Sequence, residues 1–296
     1  MKYNIAIGIV LFEPKIAQYE HISFLQELKL PIYIVDNSEQ KTLPPNINVD
    51  FYFHNANDGG LAKALNILND YALEQKMDWL LTLDQDSKFN SLEDLEKLFQ
   101  FTVNVPENIG TVAPKIMIMP GKFHKPVYAL ITSGMLLRMK TWQECGKYRE
   151  DFFIDCVDTE YCLRMKTLGW DFLVCEDVIL EHSLGNSQEH KFPFRKTVHI
   201  FGHHNALRRY YIARNLYATM MQYKKEIPEF YEDRKGFLKH HAKMILAFDN
   251  NKISKLAMMF AGFADGFSGH ISGKFEPRSF LLLRAIYRIL KQLSHH

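Results

Sequence analysis

Apolar runs broken by turn formers dominate the first ninety positions. Ile5-Ala6-Ile7-Gly8-Ile9-Val10-Leu11-Phe12 is nearly continuous, as a strand covered on both faces requires. Pro14 ends it, and a helical pattern runs on through Leu25 and Leu28. Pro31 opens a second strand, Ile32-Tyr33-Ile34-Val35, which stops at the turn residues Asp36-Asn37-Ser38. Val49 to Phe53 reads as a short strand leading into Asn57-Asp58-Gly59-Gly60, after which Leu61, Ala64, Leu65, Leu68 and Ala72 keep helical spacing. Trp79-Leu80-Leu81-Thr82-Leu83 is a further buried strand, and it delivers Asp84 and Asp86 at its carboxyl end. The alternation predicts a doubly wound α/β sheet, in which ligands collect where strands end.

Beyond Asp86 the pattern mixes. Ser91-Leu92-Glu93-Asp94 is a capping box for a helix carrying Leu95, Leu98 and Phe99. Strands are expected at Thr111 to Met117 and Ala129 to Arg138, and a helix over Asp158 to Leu168. From about Pro193 the chain reads mostly helical, most clearly at Arg208 to Tyr223 and Arg234 to Phe248. No internal repeat is apparent.

Composition narrows the class. At 296 residues and 47% hydrophobic content the chain can bury a large core, as one domain or as a domain with a helical extension. Cys145, Cys156, Cys162 and Cys175 have no CxxC spacing and read as thiols of a reducing compartment. The first residues read as a strand, not a signal peptide, and the longest apolar stretch, Leu256 to Ala264, is far short of the roughly 20 residues that span a bilayer. A soluble, cytoplasmic protein is expected. The net charge of +2 conceals an asymmetry: from Lys191 to His296 there are 19 Lys and Arg against 7 Asp and Glu, and before that 17 against 27. A carboxylate-rich body with a basic appendage suits an anionic partner, while a solvated basic helical surface is the plainer reading.

The chemistry-bearing residues follow this layout. Two carboxylates, Asp84 and Asp86, at the end of a buried strand are costly without a partner, and a hard divalent cation, Mg²⁺ or Mn²⁺, resolves the cost; alone, Asp-x-Asp is more often an acidic turn. Asp36 is placed to accept from a ribose or a base, or simply to close an Asx-turn. Asn57, Gly60 and Lys63 belong to a glycine turn that opens a helix, where a phosphate can approach backbone N–H groups. Asp158, at a helix start beside an aromatic cluster, is a candidate general base; Asp158, Tyr161 and Arg164 share one face, and Glu160 pairs with Arg164 at i+4. His182 follows a strand-like Val178-Ile179-Leu180 and is a candidate metal ligand, though a lone histidine is more often structural. Arg208, Arg209 and Arg214 can fork onto a phosphate or make salt bridges.

The ordered series Val35-Asp36-Asn37-Ser38, Asn57-Asp58-Gly59-Gly60-Leu61-Ala62, Asp84-Gln85-Asp86, Thr132-Ser133-Gly134, Asp158-Thr159-Glu160-Tyr161-Cys162-Leu163-Arg164, His182-Ser183-Leu184-Gly185 and Tyr210-Tyr211-Ile212-Ala213-Arg214-Asn215 resembles the family 2 inverting glycosyltransferases of GT-A fold. Within them it is most like the bacterial rhamnosyltransferases of surface-polysaccharide synthesis. The likeness runs from Ile5 to about Asn215, with a looser echo at Gly262 to Gly269. It implies an α/β fold with a mixed sheet flanked by helices and a C-terminal helical extension. The catalytic domain would span 1–215, with a nucleotide-sugar half to about 110 and an acceptor half from 111, and 216–296 would form the basic extension. Asp36 would contact the base; Asn57, Gly60, Lys63, Asp84, Arg208 and Arg214 would complete the nucleotide-sugar site. Asp86 and His182 would hold the Mg²⁺ or Mn²⁺, and Asp158 would be the base. Ser133, Gly134, Glu160, Tyr161 and Arg164 would face the acceptor. Val157 stands where the family carries the first acid of an acidic pair, which leaves that duty to Asp155 or Glu160.

The resemblance further implies dTDP-L-rhamnose as donor and a polyprenyl-diphosphate-linked oligosaccharide as acceptor, at the inner face of the plasma membrane, with no nucleic-acid partner. UDP-galactofuranose and UDP-hexoses are the alternative donors. The rival classes are a non-catalytic nucleotide-binding protein and a metal-dependent phosphotransferase, although no GxxxxGK[ST] loop is present. Phe280 to Lys291 mixes apolar and basic residues as a membrane-surface helix does, and a helix that forms a homodimer is its rival.

Overall fold

A computed structural model describes residues 4–119, 121–123, 127–182, 186–191, 198–273 and 275. The segment 280–291 and the residues Ser183, Leu184 and Gly185 lie outside them. The chain forms two compact units, one from the described residues of Met1–Glu150 and Val157–Ser183, the other from those of Asp151–Cys156 and Leu184–His296.

The first unit opens with β1 (Ile5–Leu11), every residue of which is buried, followed by α1 (Ile16–Gln26) and β2 (Ile32–Asp36). Then come β3 (Phe51–His54), α2 (Gly60–Glu74) and β4 (Trp79–Asp84). These four strands run parallel, in the order β3-β2-β1-β4. Continuous Ile, Val and Leu make them suited to the middle of a covered sheet, and α2 packs its Ala64, Leu65 and Leu68 side onto β1, β2 and β4. The second half of the sheet is mixed. After β5 (Lys88–Phe89) and α3 (Leu92–Phe101) it adds β6 (Ile109–Met119), β7 (Lys122–Phe123), β8 (Met135–Arg138), α4 (Met139–Cys145), α5 (Val157–Thr167) and β9 (Asp171–Glu181). β8 lies antiparallel between β4 and β6, β9 runs parallel to β6, and β5 closes that edge antiparallel to β9. The result is the α/β sheet flanked by helices that the GT-A resemblance implies. One apolar cluster fills it, from Ile7, Ile9 and Leu11 through Leu81 and Leu83 to Phe99, Val178 and Leu180.

The expected capping box is observed in part: the Ser91 hydroxyl accepts from Asp94 N–H at 3.1 Å. The expected strand from Ala129 is shorter. Only Met135–Arg138 pairs with neighbours, because Thr132 to Gly134 turn to brace β4.

Beyond Pro193 the described residues of the second unit are mostly helical, as expected, with one strand that the sequence reading did not foresee. That strand belongs to an antiparallel pair, β10 (Asn186–Lys191) and β11 (Val198–His203). Val198, Ile200 and Phe201 make β11 a strand that no helical period describes. Helices then follow: α6 (Ala206–Gln222), α7 (Pro228–Arg234), α8 (Phe237–Phe248) and α9 (Lys252–Phe267). α9 lies against α6 at backbone contact. A Cβ on Gly262 would sit 2.2 Å from the Tyr210 carbonyl oxygen, and one on Gly266 would sit 2.2 Å from that of Arg214. Among the described residues no helix is long and apolar enough to cross a membrane.

Candidate active site

Strand register sets the layout. Leu11 of β1 pairs with Asp36 of β2, and Val10 pairs with Asp84 of β4. Both acids therefore leave the sheet at the carboxyl edge, on either side of β1. Asp84, Asp86 and His182 each offer a ligand atom, and these atoms all lie within 4.8 Å of one another. His182 enters directly after β9, its N–H bonded to the Met117 carbonyl at 3.1 Å. Two carboxylates and an imidazole are a donor set that fits a divalent cation.

Three side chains hold this group from behind. The Gln85 amide grips the Phe12 backbone both ways, accepting from its N–H at 2.8 Å and donating to its carbonyl at 2.9 Å, so the acidic turn is tied to the end of β1. Buried Ser133 accepts from Asp84 N–H at 3.0 Å and bonds to the Ser87 hydroxyl. Ser87 in turn lies 2.8 Å from His182 Nδ1, which is 3.6 Å from Asp86 Oδ1. Gly134 has φ +82° and donates to the Thr82 carbonyl at 2.7 Å; a Cβ there would lie 2.5 Å from Leu180, so glycine is needed for this close approach. Ser133 and Gly134, expected at the acceptor, are thus placed as supports of the acidic turn.

Asp36 is wholly buried and receives four hydrogen bonds: from Ser38 N–H at 2.9 Å, Thr42 N–H at 2.9 Å, the Thr42 hydroxyl at 2.8 Å and the Tyr52 hydroxyl at 2.7 Å. Burial alone pushes its carboxyl up, but the bonds from Ser38, Tyr52 and Thr42 outweigh it and hold the group below the ordinary aspartate value. Asp36 shapes the loop that carries Asn37. Asn37 Nδ2 donates to the Gly60 carbonyl at 3.1 Å, and Asn37 Oδ1 accepts from Asn55 Nδ2 at 2.7 Å, which joins this loop to the glycine turn. Asn57 holds φ +54° there, a left-handed conformation asparagine tolerates, and Lys63 pairs with Asp58 across the first turn of α2.

In α5, Asp158 is the second residue, and its Oδ1 accepts from Thr159 N–H at 2.7 Å. Glu160 is buried and grips Arg164 with two bonds, at 2.8 and 3.2 Å; Arg164 also donates to the Cys145 and Lys147 carbonyls. Tyr161 is wholly buried against Trp142 and Tyr148. Glu160, Tyr161 and Arg164 fasten α5 to the end of α4.

The second unit holds Arg208 and Arg214. Arg208 forks onto Asp155 at 3.0 to 3.2 Å. Arg214 is wholly buried and donates to the Asp151 and Phe152 carbonyls at 2.8 and 3.1 Å, as well as to Ser272. Asn215 Nδ2 adds bonds to the carbonyls of Phe152, Ile154 and Asp155 at 2.9, 2.8 and 3.0 Å. Together they hold a segment in which Phe153, Asp155 and Cys156 have φ of 66°, 64° and 59°, and which leads straight into α5. Three non-glycine residues in that region persist only under such constraint.

No protein-family model matches the chain. It is 28% identical over 306 residues to the dTDP-rhamnosyl transferase RfbF of Shigella flexneri, across 92% of this chain and 98% of that protein. The resemblance to bacterial rhamnosyltransferases holds. The S. aureus TarS structure aligns with 88% of this chain and 43% of its own length, at 13% identity and TM-score 0.48, so the chain spans less than half of TarS. A glycosyltransferase involved in the glycosylation of the major capsid of PBCV-1 aligns over 61% of this chain and 95% of its own, at 13% identity and TM-score 0.36. The RfbF likeness runs through both compact units.

Sequence reasoning passed over Gln85, Ser87 and Asn37 as site builders. Ser87 follows Asp86 directly, which is the one local signal for it; Asn37 and Gln85 act through bonds to distant backbone that no local pattern announces.

Proposed function

We propose that this chain is an inverting, metal-dependent glycosyltransferase that moves L-rhamnose from dTDP-L-rhamnose to a hydroxyl of a lipid-linked cell-surface glycan, working at the inner face of the plasma membrane. The cluster of Asp84, Asp86 and His182 at the carboxyl edge carries the reading, and the similarity to RfbF over nearly the whole chain supports it. On this reading residues 1–215 form the catalytic part and 216–296 the extension, with α6 crossing the boundary.

Asp84, Asp86 and His182 would hold Mg²⁺ or Mn²⁺, which supplies charge neutralisation as a nucleoside diphosphate departs. The backbone at Asn57 to Gly60 and the start of α2 receive the anionic donor, with Asn37 bracing that turn. Asp158 takes the proton of the acceptor hydroxyl as its oxygen attacks the anomeric carbon from the face opposite the leaving group, so configuration inverts. Its bond to Thr159 N–H orients one carboxylate oxygen.

The test is a panel of nucleotide sugars, dTDP-rhamnose, UDP-galactofuranose and UDP-hexoses, assayed for nucleoside diphosphate release with and without EDTA. Release from dTDP-rhamnose that EDTA abolishes is expected. Release indifferent to EDTA removes the metal from the reading, and preference for a UDP-sugar replaces the donor. No release from any of them returns the chain to the binding-protein class.

A further inference from the structure

α9 is inside out for a surface helix. Its charged residues past the first turn are inward: Lys255 is 6% exposed and pairs with Asp249, and Asp265 is 1% exposed and accepts from the Tyr210 hydroxyl at 2.9 Å. Its outward residues are apolar: Ile253 is 87% exposed, Phe260 50% and Phe267 60%. These three recur every seven residues, so they form one line along the helix. At 100° per residue the line stands about 140–180° from Gly262, the residue that touches α6. The interior of the unit is served by one face of α9; on the other, Phe267 touches the Phe263 ring at 5.9 Å, while Ile253 and Phe260 stand out to solvent.

α8 adds exposed charge of one sign. Lys239, Lys243 and Leu246 are exposed at i, i+4 and i+7, and Lys252 at the start of α9 donates to the Leu246 carbonyl at 2.7 Å, which brings the two helices' exposed residues together at that end. Every charged residue that α8 and α9 leave exposed is a lysine: Lys239, Lys243 and Lys252. An apolar line on helices whose own exposed charges are all lysine, and which are too short to span, is the chemistry of a surface that lies in the headgroup layer of an anionic bilayer. A second copy packed on the same face about a two-fold axis would set this all-positive edge against itself.

We propose that the outer face of α8 and α9, with Ile253, Phe260 and Phe267 entering the bilayer and Lys239, Lys243 and Lys252 at the phosphates, docks this chain on anionic lipid. The assignment rests on the membrane-facing reading above and names the surface responsible, independently of the segment 280–291.

The experiment is co-sedimentation of the full chain with vesicles of phosphatidylglycerol and phosphatidylcholine, and of phosphatidylcholine alone. Compared with it are I253S/F260S and, as a set unable to disturb the core, K239E/K243E. Thermal midpoint and light scattering are recorded for each. Wild type is expected to bind the anionic vesicles and not the zwitterionic ones, and each double variant is expected to bind at least about tenfold more weakly at an unchanged midpoint. Wild-type binding that both variants retain overturns this surface while leaving the membrane reading intact. Wild type that binds neither vesicle overturns both. A wild-type dimer that the variants split, with no vesicle binding, overturns the proposal in favour of a second copy. Nucleoside diphosphate release with a water-soluble acceptor, expected unchanged in both variants, keeps the catalytic reading separate from either result.

Discussion

Ser87 Oγ lies 2.8 Å from Nδ1 of His182, and the same hydroxyl bonds to Ser133, which receives the N–H of Asp84. Two of the three candidate ligands, a histidine after β9 and an aspartate ending β4, are thereby oriented by one pair of serine hydroxyls. Such outer partners govern how well a ligand set holds a metal.

Replacing Ser87 with alanine should therefore weaken Mn²⁺ binding by roughly 10- to 100-fold while all three ligands stay in place. Calorimetric titration of the nucleotide-free protein with Mn²⁺ reads this directly. Affinity equal to wild type would show that the serine pair does not orient the ligands.

Asp158→Asn should lower kcat by about 100- to 10,000-fold with KM for the donor within a few-fold, since a base acts on the proton in flight and not on donor binding. Single-turnover release of nucleoside diphosphate separates the two. An unchanged kcat would move the base elsewhere.

Gly266→Ala sets a methyl 2.2 Å from the Arg214 carbonyl oxygen, and backbone cannot step aside as a flexible side chain can. A loss of roughly 1–3 kcal/mol or more is expected, read as a lowered urea midpoint. A midpoint within error of wild type would mean that α9 shifts off α6 without cost.

The depressed carboxyl of Asp36 makes a pH prediction. A group lowered in the folded state contributes stability above its unfolded pKa of about 3.9 and loses it as pH falls through the folded value. Asp36→Asn should cost roughly 1–3 kcal/mol at neutral pH, by stranding buried donors, and should decline less steeply below about pH 4. Urea midpoints between pH 7 and pH 3 test this; parallel curves for the two proteins would contradict it.

Much of the sheet is legible in the sequence. β1, β2 and β4 are short runs of branched and apolar residues closed by Pro14, by Asp36-Asn37-Ser38 and by the acidic turn, and each of those signals is local. β11 was not legible: its pairing with β10 is a contact between segments, and a six-residue run of mixed polarity shows no period strong enough to outweigh helical surroundings. The role of Arg214 was hidden for a related reason. A phosphate-binding arginine and one that holds carbonyls share the same letter, and only the position of Asp151 and Phe152 distinguishes them. The GxxxG spacing of Gly262 and Gly266 was the one local hint that α9 would approach α6 closely enough to bury that side chain.

By itself, then, the order of residues determined where strands end and which acids stand at those ends, because strand limits and turn chemistry are properties of a few neighbours. Tertiary structure decided which of those residues face one another. It brought His182 across the sheet to Asp84 and Asp86, turned Ser133 toward them, and drew Glu160, Tyr161 and Arg164 into packing. The reason is physical: a buried donor or acceptor must find its partner wherever the fold supplies one, and that partner is commonly scores of residues away.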